Sequence, residues 1–412
     1  MKSLAIVSSW NEECGIAAYS AALKPEFEKY YDVEVMKLDT EILNSSNSNH
    51  VEMGDRSIAD IAERVKKKDC VNIQFECGLF GCNAKQIYER FRKIAENSRN
   101  LIVTFHSINL EGSNKSIKRL LKGNPIENFL NMRRENSWSS FYHRMFNLLN
   151  KLSRKKNVWV VVHTPRDARL IREIAGFRNV SDYPLTLLNK EQREIRRTPA
   201  EHEEFLEKYH LAENEKTIGL FGFTSEYKGH DIAVNALEYL PDNYKLMIFG
   251  AQHPRGIVPF RRVDGYLQSI LDRIAFYDDK FVKAKLKRRK VYERVEFFGA
   301  VSDEELIEAM RNVDIVALPY IEVGQMGSGI ATNALECKAK IIASNTKCFA
   351  ELRKYYPNCF AQFDIGNSLE LANKIMHFKD IYTGNIEKAL LTYNLENNIK
   401  HYVELFERKK NE

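Results

Sequence analysis

From Leu4 to Ser344, short runs of β-branched and aromatic residues alternate with amphipathic segments of helical length. That alternation is the mark of successive βα units building a mostly parallel sheet, so the fold class is α/β. Five such runs fall in the first half: LAIVSS, VEVMKL, VNIQFE, LIVTFHS and VWVVVHT. Five more fall in the second: TIGLFGF, KLMIFG, VEFFGA, DIVALPY and KIIAS. Two similar Rossmann-like domains are therefore expected, and 412 residues with 44% hydrophobic composition suffice for two cores. The charged stretch from Leu188 to Glu207 has no strand pattern and contains Pro199, which sets the expected boundary: a first domain over 1–199 and a second over 200–390. After Tyr393, apolar residues at Leu395, Ile399, Tyr402, Val403 and Phe406 follow a helical period, so residues 391–412 are expected to close the chain as one long helix.

Several function classes are disfavoured by composition and motif. Seven scattered cysteines without a CxxC pair argue against a disulfide framework and a zinc ribbon, and fit a reducing compartment. The first strand begins at Lys2 with no basic and apolar leader before it, and no apolar run is long enough to cross a bilayer, so the expected location is cytoplasmic. A net charge of +6, from 62 basic against 56 acidic residues, is too balanced to require nucleic acid. The first strand leads into SSWNEECGIAAY, not the Gly-x-Gly-x-x-Gly turn of dinucleotide oxidoreductases, and the Walker glycines with GK[ST] are missing.

The residues that carry chemistry cluster between Thr217 and Ser344. In FGFTSEYKG, a strand ending at Gly222 and a helix starting near Gly229 bring Lys228 to the carboxyl edge of the sheet, where doubly wound folds bind ligands and an ammonium can neutralise phosphate. A lone lysine in a turn is ordinarily just exposed; the motifs around it give it meaning. FFGAVSDEELIEAM places Ser302 and Glu305 as a capping box. YIEVGQMGSGIATNALE then sets Gly324, Gly327 and Gly329 in a loop whose helix begins at about Ser328, aiming unpaired N–H groups at an anion. Glu336, two turns further on, offers a carboxylate to ribose hydroxyls.

Over nearly its whole length the chain resembles glycosyltransferase family 4, retaining enzymes of the GT-B fold with two Rossmann-like domains, an interdomain cleft and a C-terminal helix that crosses back onto the first domain. SGIATNALE is similar to the family's paired glutamates, with Glu336 as the ribose-binding one. Ser328 stands where the family has its donor-sugar glutamate, with Glu322 and Gln325 nearby as replacements; Phe223 stands at the position of the family's diphosphate arginine, while Lys228 matches its lysine. CGIAAYSAAL resembles the family's first loop and helix, with Gly15 letting the backbone approach phosphate and acceptor. VTFHS places His106 where family members direct a histidine at the donor sugar; His163 in VVVHT, and Glu76 in VNIQFECG, are further sugar or acceptor candidates. On sequence alone a histidine at a strand end is more often a satisfied structural residue than a catalytic one.

The resemblance implies transfer of a sugar from a nucleoside-diphosphate sugar to a glycan or lipid-linked acceptor, as in surface polysaccharide or glycoconjugate synthesis. Catalytic work would fall to Lys228 and His106, and donor binding to Gly15, Gly222, Ser328, Gly329 and Glu336. The chain lacks the Asp-x-Asp motif by which single-domain glycosyltransferases hold a divalent cation, so no cofactor or metal is expected. A nucleotide-sugar epimerase, or a binding protein with weak turnover, would share the same cradle. The segment from Lys115 to Lys156 holds 11 Lys or Arg against Glu127 and Glu135. Trp138, Phe141, Tyr142, Met145, Phe146, Leu149 and Leu152 recur there at helical spacing, as an interfacial helix on an anionic membrane would arrange them, or a core helix with a basic outer side. The basic run KFVKAKLKRRK from Lys280 could add to such a face.

Overall fold

A computed structural model describes residues 1–12, 14–110, 125–252, 263–278, 291–324 and 327–408. Two parallel six-stranded sheets organise the chain. The first contains β1 (Lys2–Ser8), β2 (Tyr31–Lys37), β3 (Cys70–Phe75), β4 (Leu101–Phe105), β5 (Val158–Val162) and β6 (Val180–Asp182), in the order β2-β1-β3-β4-β5-β6. The second contains β7 (Lys216–Phe221), β8 (Tyr244–Phe249), β9 (Val295–Gly299), β10 (Ile315–Leu318), β11 (Ile341–Ser344) and β12 (Ala361–Phe363), in the order β12-β11-β10-β7-β8-β9. Each sheet thus has one strand more than the five runs expected. The additional strands, VSD and AQF, are three-residue edges too short to show a periodicity.

Helices cover both faces of each sheet, which explains why the central strands are almost unbroken apolar runs. In β4, for instance, Leu101, Val103 and Phe105 enter one core cluster while Ile102 enters the other. The helix Pro125–Ser153 presses Phe141, Tyr142, Met145, Phe146, Leu149 and Leu152 into the first of these clusters. Its apolar face is therefore core, and the interfacial arrangement considered for it is excluded for those residues. The Lys280–Lys290 run and the part of the basic segment before Pro125 lie outside the described residues. Among the described residues no helix is long and apolar enough to cross a membrane.

Two compact units result, one of Met1–Leu187 with Leu395–Glu412 and one of Leu188–Asn394. The boundary expected near Pro199 is displaced to Leu187/Leu188. Leu188 is buried in the core of the second unit, and Pro199 is the first residue of a helix capped by Thr198 with Glu201 in a capping box. Proline there begins a helix, where its missing N–H costs nothing, and does not mark a linker. The helix Leu395–Glu407 packs in the first unit, with Leu395, Ile399, Tyr402, Leu405 and Phe406 against Tyr19, Leu23 and Phe27.

Candidate functional site

In the second unit the site is built at the carboxyl ends of β7 and β10. The chain leaves β7 through Gly222, makes a 3-10 turn over Glu226–Lys228 and enters the helix His230–Ala236 through Gly229. Gly229 has φ of +66°, and a Cβ there would collide with the carbonyl oxygen of Pro319, so only glycine serves. The turn folds Lys228 inward. Far from being an exposed turn residue, it is 7% exposed, and its ammonium donates to the carbonyl of Phe221 at 2.9 Å. The same nitrogen lies 5.7 Å from the centre of the Tyr320 ring. Burial lowers its pKa to about 8.

Gly222, with φ of +83°, is wedged between this ammonium and Ile330: a Cβ would meet the lysine nitrogen on one side and the Ile330 side chain at 3.2 Å on the other. Strand end, lysine and the first turn of the helix Gly329–Glu336 are thereby in contact. Ser328 caps that helix, its hydroxyl accepting from the N–H of Ala331 and bonded to the Tyr320 hydroxyl at 3.2 Å. The helix starts where the glycine-rich pattern placed it. Its opening N–H groups beside a buried ammonium form a preorganised positive corner suited to an anion.

Glu336, the last residue of the helix, is fully buried, and its Oε2 accepts from the N–H of Leu188 at 2.8 Å. It therefore also ties down the segment entering the unit, a contact that the sequence did not reveal. Glu322 accepts from the N–H of Gly324 at 3.0 Å and of Lys347 at 2.8 Å, so both its oxygens shape the loop. Gln325 lies outside the described residues. His230, next to Gly229, was not singled out from the sequence. It is 1% exposed, neither ring nitrogen has a hydrogen-bond partner among the described residues, and burial with the nearby Lys228 charge pushes its pKa down to about 3.

In the first unit the candidates gather at the carboxyl ends of β3, β4 and β5. Glu76 follows β3; its Oε2 accepts from the Ser107 hydroxyl at 2.6 Å and its Oε1 from the N–H of Cys77 at 3.1 Å. Burial raises its pKa against those two hydrogen bonds. The Tyr142 hydroxyl donates to the carbonyl of Ser107 at 3.2 Å, fixing the same corner from the long helix. His106 follows β4, and its Nε2 is 2.8 Å from the Oε1 of Gln74. His163 follows β5 with its Nδ1 3.2 Å from the carbonyl of Tyr183. The two imidazoles lie 5.1 Å apart, and Tyr19 stands edge-on to both at 5.6 and 5.5 Å. Burial holds both neutral, His163 at about 4 and His106 well below its ordinary value. Gly15 opens the helix Gly15–Phe27, and a Cβ there would meet nothing within 4 Å, so this glycine leaves space open and is not demanded by the protein's own packing.

Among the described residues no group of three or more His, Cys, Asp or Glu is placed to hold a metal ion. Among the described residues no disulfide joins any of the seven cysteines.

Residues 201–380 match the family model of glycosyl transferases, group 1. The match spans Gly222, Lys228, Ser328, Gly329 and Glu336 and most of the second unit. No curated protein sequence matches the chain. Among solved structures it is similar to HepE of Anabaena in complex with UDP-glucose, with 15% identity over 98% of this chain and 100% of that one and a TM-score of 0.62. It is similar to sucrose-phosphate synthase of Thermosynechococcus elongatus, with 14% identity over 98% of each chain and a TM-score of 0.65. WaaG, a glycosyltransferase involved in lipopolysaccharide biosynthesis, matches with 12% identity over 97% of this chain and 95% of its own and a TM-score of 0.56. These likenesses extend over both units and show the GT-B fold.

Proposed function

We propose that this protein is a retaining glycosyltransferase of family 4 that moves a sugar from a nucleoside-diphosphate sugar to a glycan or lipid-linked acceptor without a metal ion. The observation that carries the reading is the corner where Gly222, the buried ammonium of Lys228 and the start of the helix Gly329–Glu336 meet, inside the segment that matches the group 1 glycosyl transferases. HepE, which has a similar fold, forms a complex with UDP-glucose, which supports a nucleotide sugar as donor.

In this reading the diphosphate lies against Lys228 and the N–H groups after Ser328. As the anomeric carbon–oxygen bond breaks, negative charge grows on the departing oxygen, and these groups stabilise it without reorganising. The acceptor oxygen bonds to the anomeric carbon on the face the leaving group departs from. Its proton passes to the diphosphate oxygen, so configuration is retained and no protein base is needed. Glu336 accepts ribose hydroxyls, while His106, His163 and Glu76 serve the sugar or the acceptor. A peripheral contact with anionic membrane would not use Phe141, Tyr142, Met145, Phe146, Leu149 and Leu152 of the helix Pro125–Ser153, because these are core.

Calorimetric titration with UDP-, GDP- and ADP-sugars in the presence of EDTA tests the donor, and NMR of the product tests the stereochemistry. One donor should bind and turn over without added metal, giving a product of retained anomeric configuration. Hydrolysis or epimerisation of the donor alone, or an inverted product, would overturn the reading.

A further inference from the structure

Two polar side chains, Asn72 and Gln74, occupy β3, where every other residue of the buried strand is apolar or cysteine. Both are fully buried, as are Thr104 on the adjoining strand and Tyr402 on the C-terminal helix. They form one hydrogen-bonded chain. The Nδ2 of Asn72 reaches the carbonyl of Ile102 at 3.3 Å and the hydroxyl of Thr104 at 3.1 Å; the Nε2 of Gln74 reaches the Oδ1 of Asn72; the Oε1 of Gln74 reaches the Nε2 of His106 at 2.8 Å. The Thr104 hydroxyl is in turn 2.8 Å from that of Tyr402.

The direction of this chain is fixed at one end. The backbone carbonyl of Ile102 can only accept, so the amide nitrogen of Asn72 must face it and the Oδ1 must face Gln74. That oxygen can only accept as well, so Gln74 must present its nitrogen to Asn72 and its oxygen to His106. The last link then requires a proton on the Nε2 of His106. Turning either amide over would place two acceptors against each other in a dry interior, where an unmade hydrogen bond is costly.

We propose that Gln74 is a positioning residue which, through Asn72, locks His106 as the neutral Nε2–H tautomer, so that His106 meets a sugar or acceptor hydroxyl only as a hydrogen-bond acceptor through Nδ1. The lock excludes a role for neutral His106 as donor through Nδ1 and makes the ligand group opposite it a hydroxyl rather than a carbonyl or phosphate oxygen. Tyr402 extends the lock to the C-terminal helix, because its hydroxyl anchors Thr104, the second acceptor for Asn72. The ligand part rests on the proposed sugar-transfer reading; the tautomer does not.

Histidine ring nitrogen shifts in the ligand-free full-length protein, from two-bond proton–nitrogen NMR at pH 7.5, test the lock independently of any activity. His106 is assigned by its loss in His106→Gln. The expected pattern is protonated Nε2 with unprotonated Nδ1; the reverse tautomer, or a fast mixture of the two, would overturn the proposal. In Gln74→Leu the acceptor is gone, and the His106 signals should move towards a tautomer mixture while kcat falls at least tenfold with little change in donor KM. Gln74→Glu, whose protonated carboxyl can donate to Asn72 and accept from His106, should restore the tautomer. A folded Gln74→Leu variant with unchanged His106 shifts would also defeat the proposal. Correct tautomer behaviour without turnover on any nucleotide sugar would leave the lock standing and count against the transferase reading instead.

Discussion

Lys228 gives the most direct residue-level test, because its ammonium is buried and its pKa is shifted towards the neutral range. Its amine accounts for one carbonyl contact in a buried pocket, and burial brings its pKa from 10.5 to about 8. The folded value is the lower one, so holding the charge costs stability fully below pH 8, and that cost fades as pH rises towards 10.5. A diphosphate against the nitrogen favours the charged form and raises the pKa again. Donor binding should therefore be flat below about pH 7 and weaken above about pH 8, by up to about tenfold per pH unit, as binding has to draw a proton from solution. Calorimetry in two buffers of different ionisation enthalpy measures that uptake directly. A dissociation constant unchanged from pH 7 to 9.5, with no proton taken up, would remove Lys228 from the phosphate. The lysine's position was legible from FGFTSEYKG, but its inward turn was not. That turn depends on Gly229 adopting positive φ under the carbonyl of Pro319, a contact between segments far apart in sequence.

At the scale of elements, the helix Pro125–Ser153 shows why an apolar stripe does not name its partner. The periodicity from Trp138 to Leu152 suits a membrane surface or a protein core equally well. The structure decides for the core, with Phe146 stacked on Phe105 at 5.3 Å and tilted against Phe177 at 6.2 Å. Phe146→Ala should therefore cost about 3 to 5 kcal/mol of stability in denaturant titration, as truncation of a packed aromatic does. A loss below about 1 kcal/mol would put that face back in play as a docking surface. The strong central strands and the capping box at Ser302 could be read in advance, since propensity, period and cap agree there. The strands VSD and AQF could not, because three residues at a sheet edge carry no pattern. Pro199 misled for a different reason: proline breaks a helix interior yet favours a first turn, and only the cap at Thr198 separates the two cases. The tautomer chain did leave a signal, since Asn72 and Gln74 alternate within VNIQF and so share one face of a buried strand.

For the whole molecule, low identity with full coverage is informative in itself. At 15% identity over 98% of the chain, HepE shares the scaffold while leaving most side chains different, so the likeness carries the fold and the donor site has to be tested on this chain's own residues. The proposed donor site lies in the second unit at the ends of β7 and β10, and this predicts where a nucleotide alone should be felt. Backbone amides held by a bound ligand exchange only when it leaves, so at a hundred times its dissociation constant a nucleoside diphosphate should slow exchange by up to about a hundredfold. Hydrogen exchange read by mass spectrometry should show that slowing over Gly222–Gly229 and over Gly327–Ala331, where the ammonium and the helix start meet. The strands of the first sheet, whose amides already lie in a parallel ladder, should change little. Slowing confined to the loops after β3, β4 and β5, with none at Gly222–Gly229, would move the nucleotide to the first unit and overturn the assignment of Lys228, Ser328 and Gly329 to the donor.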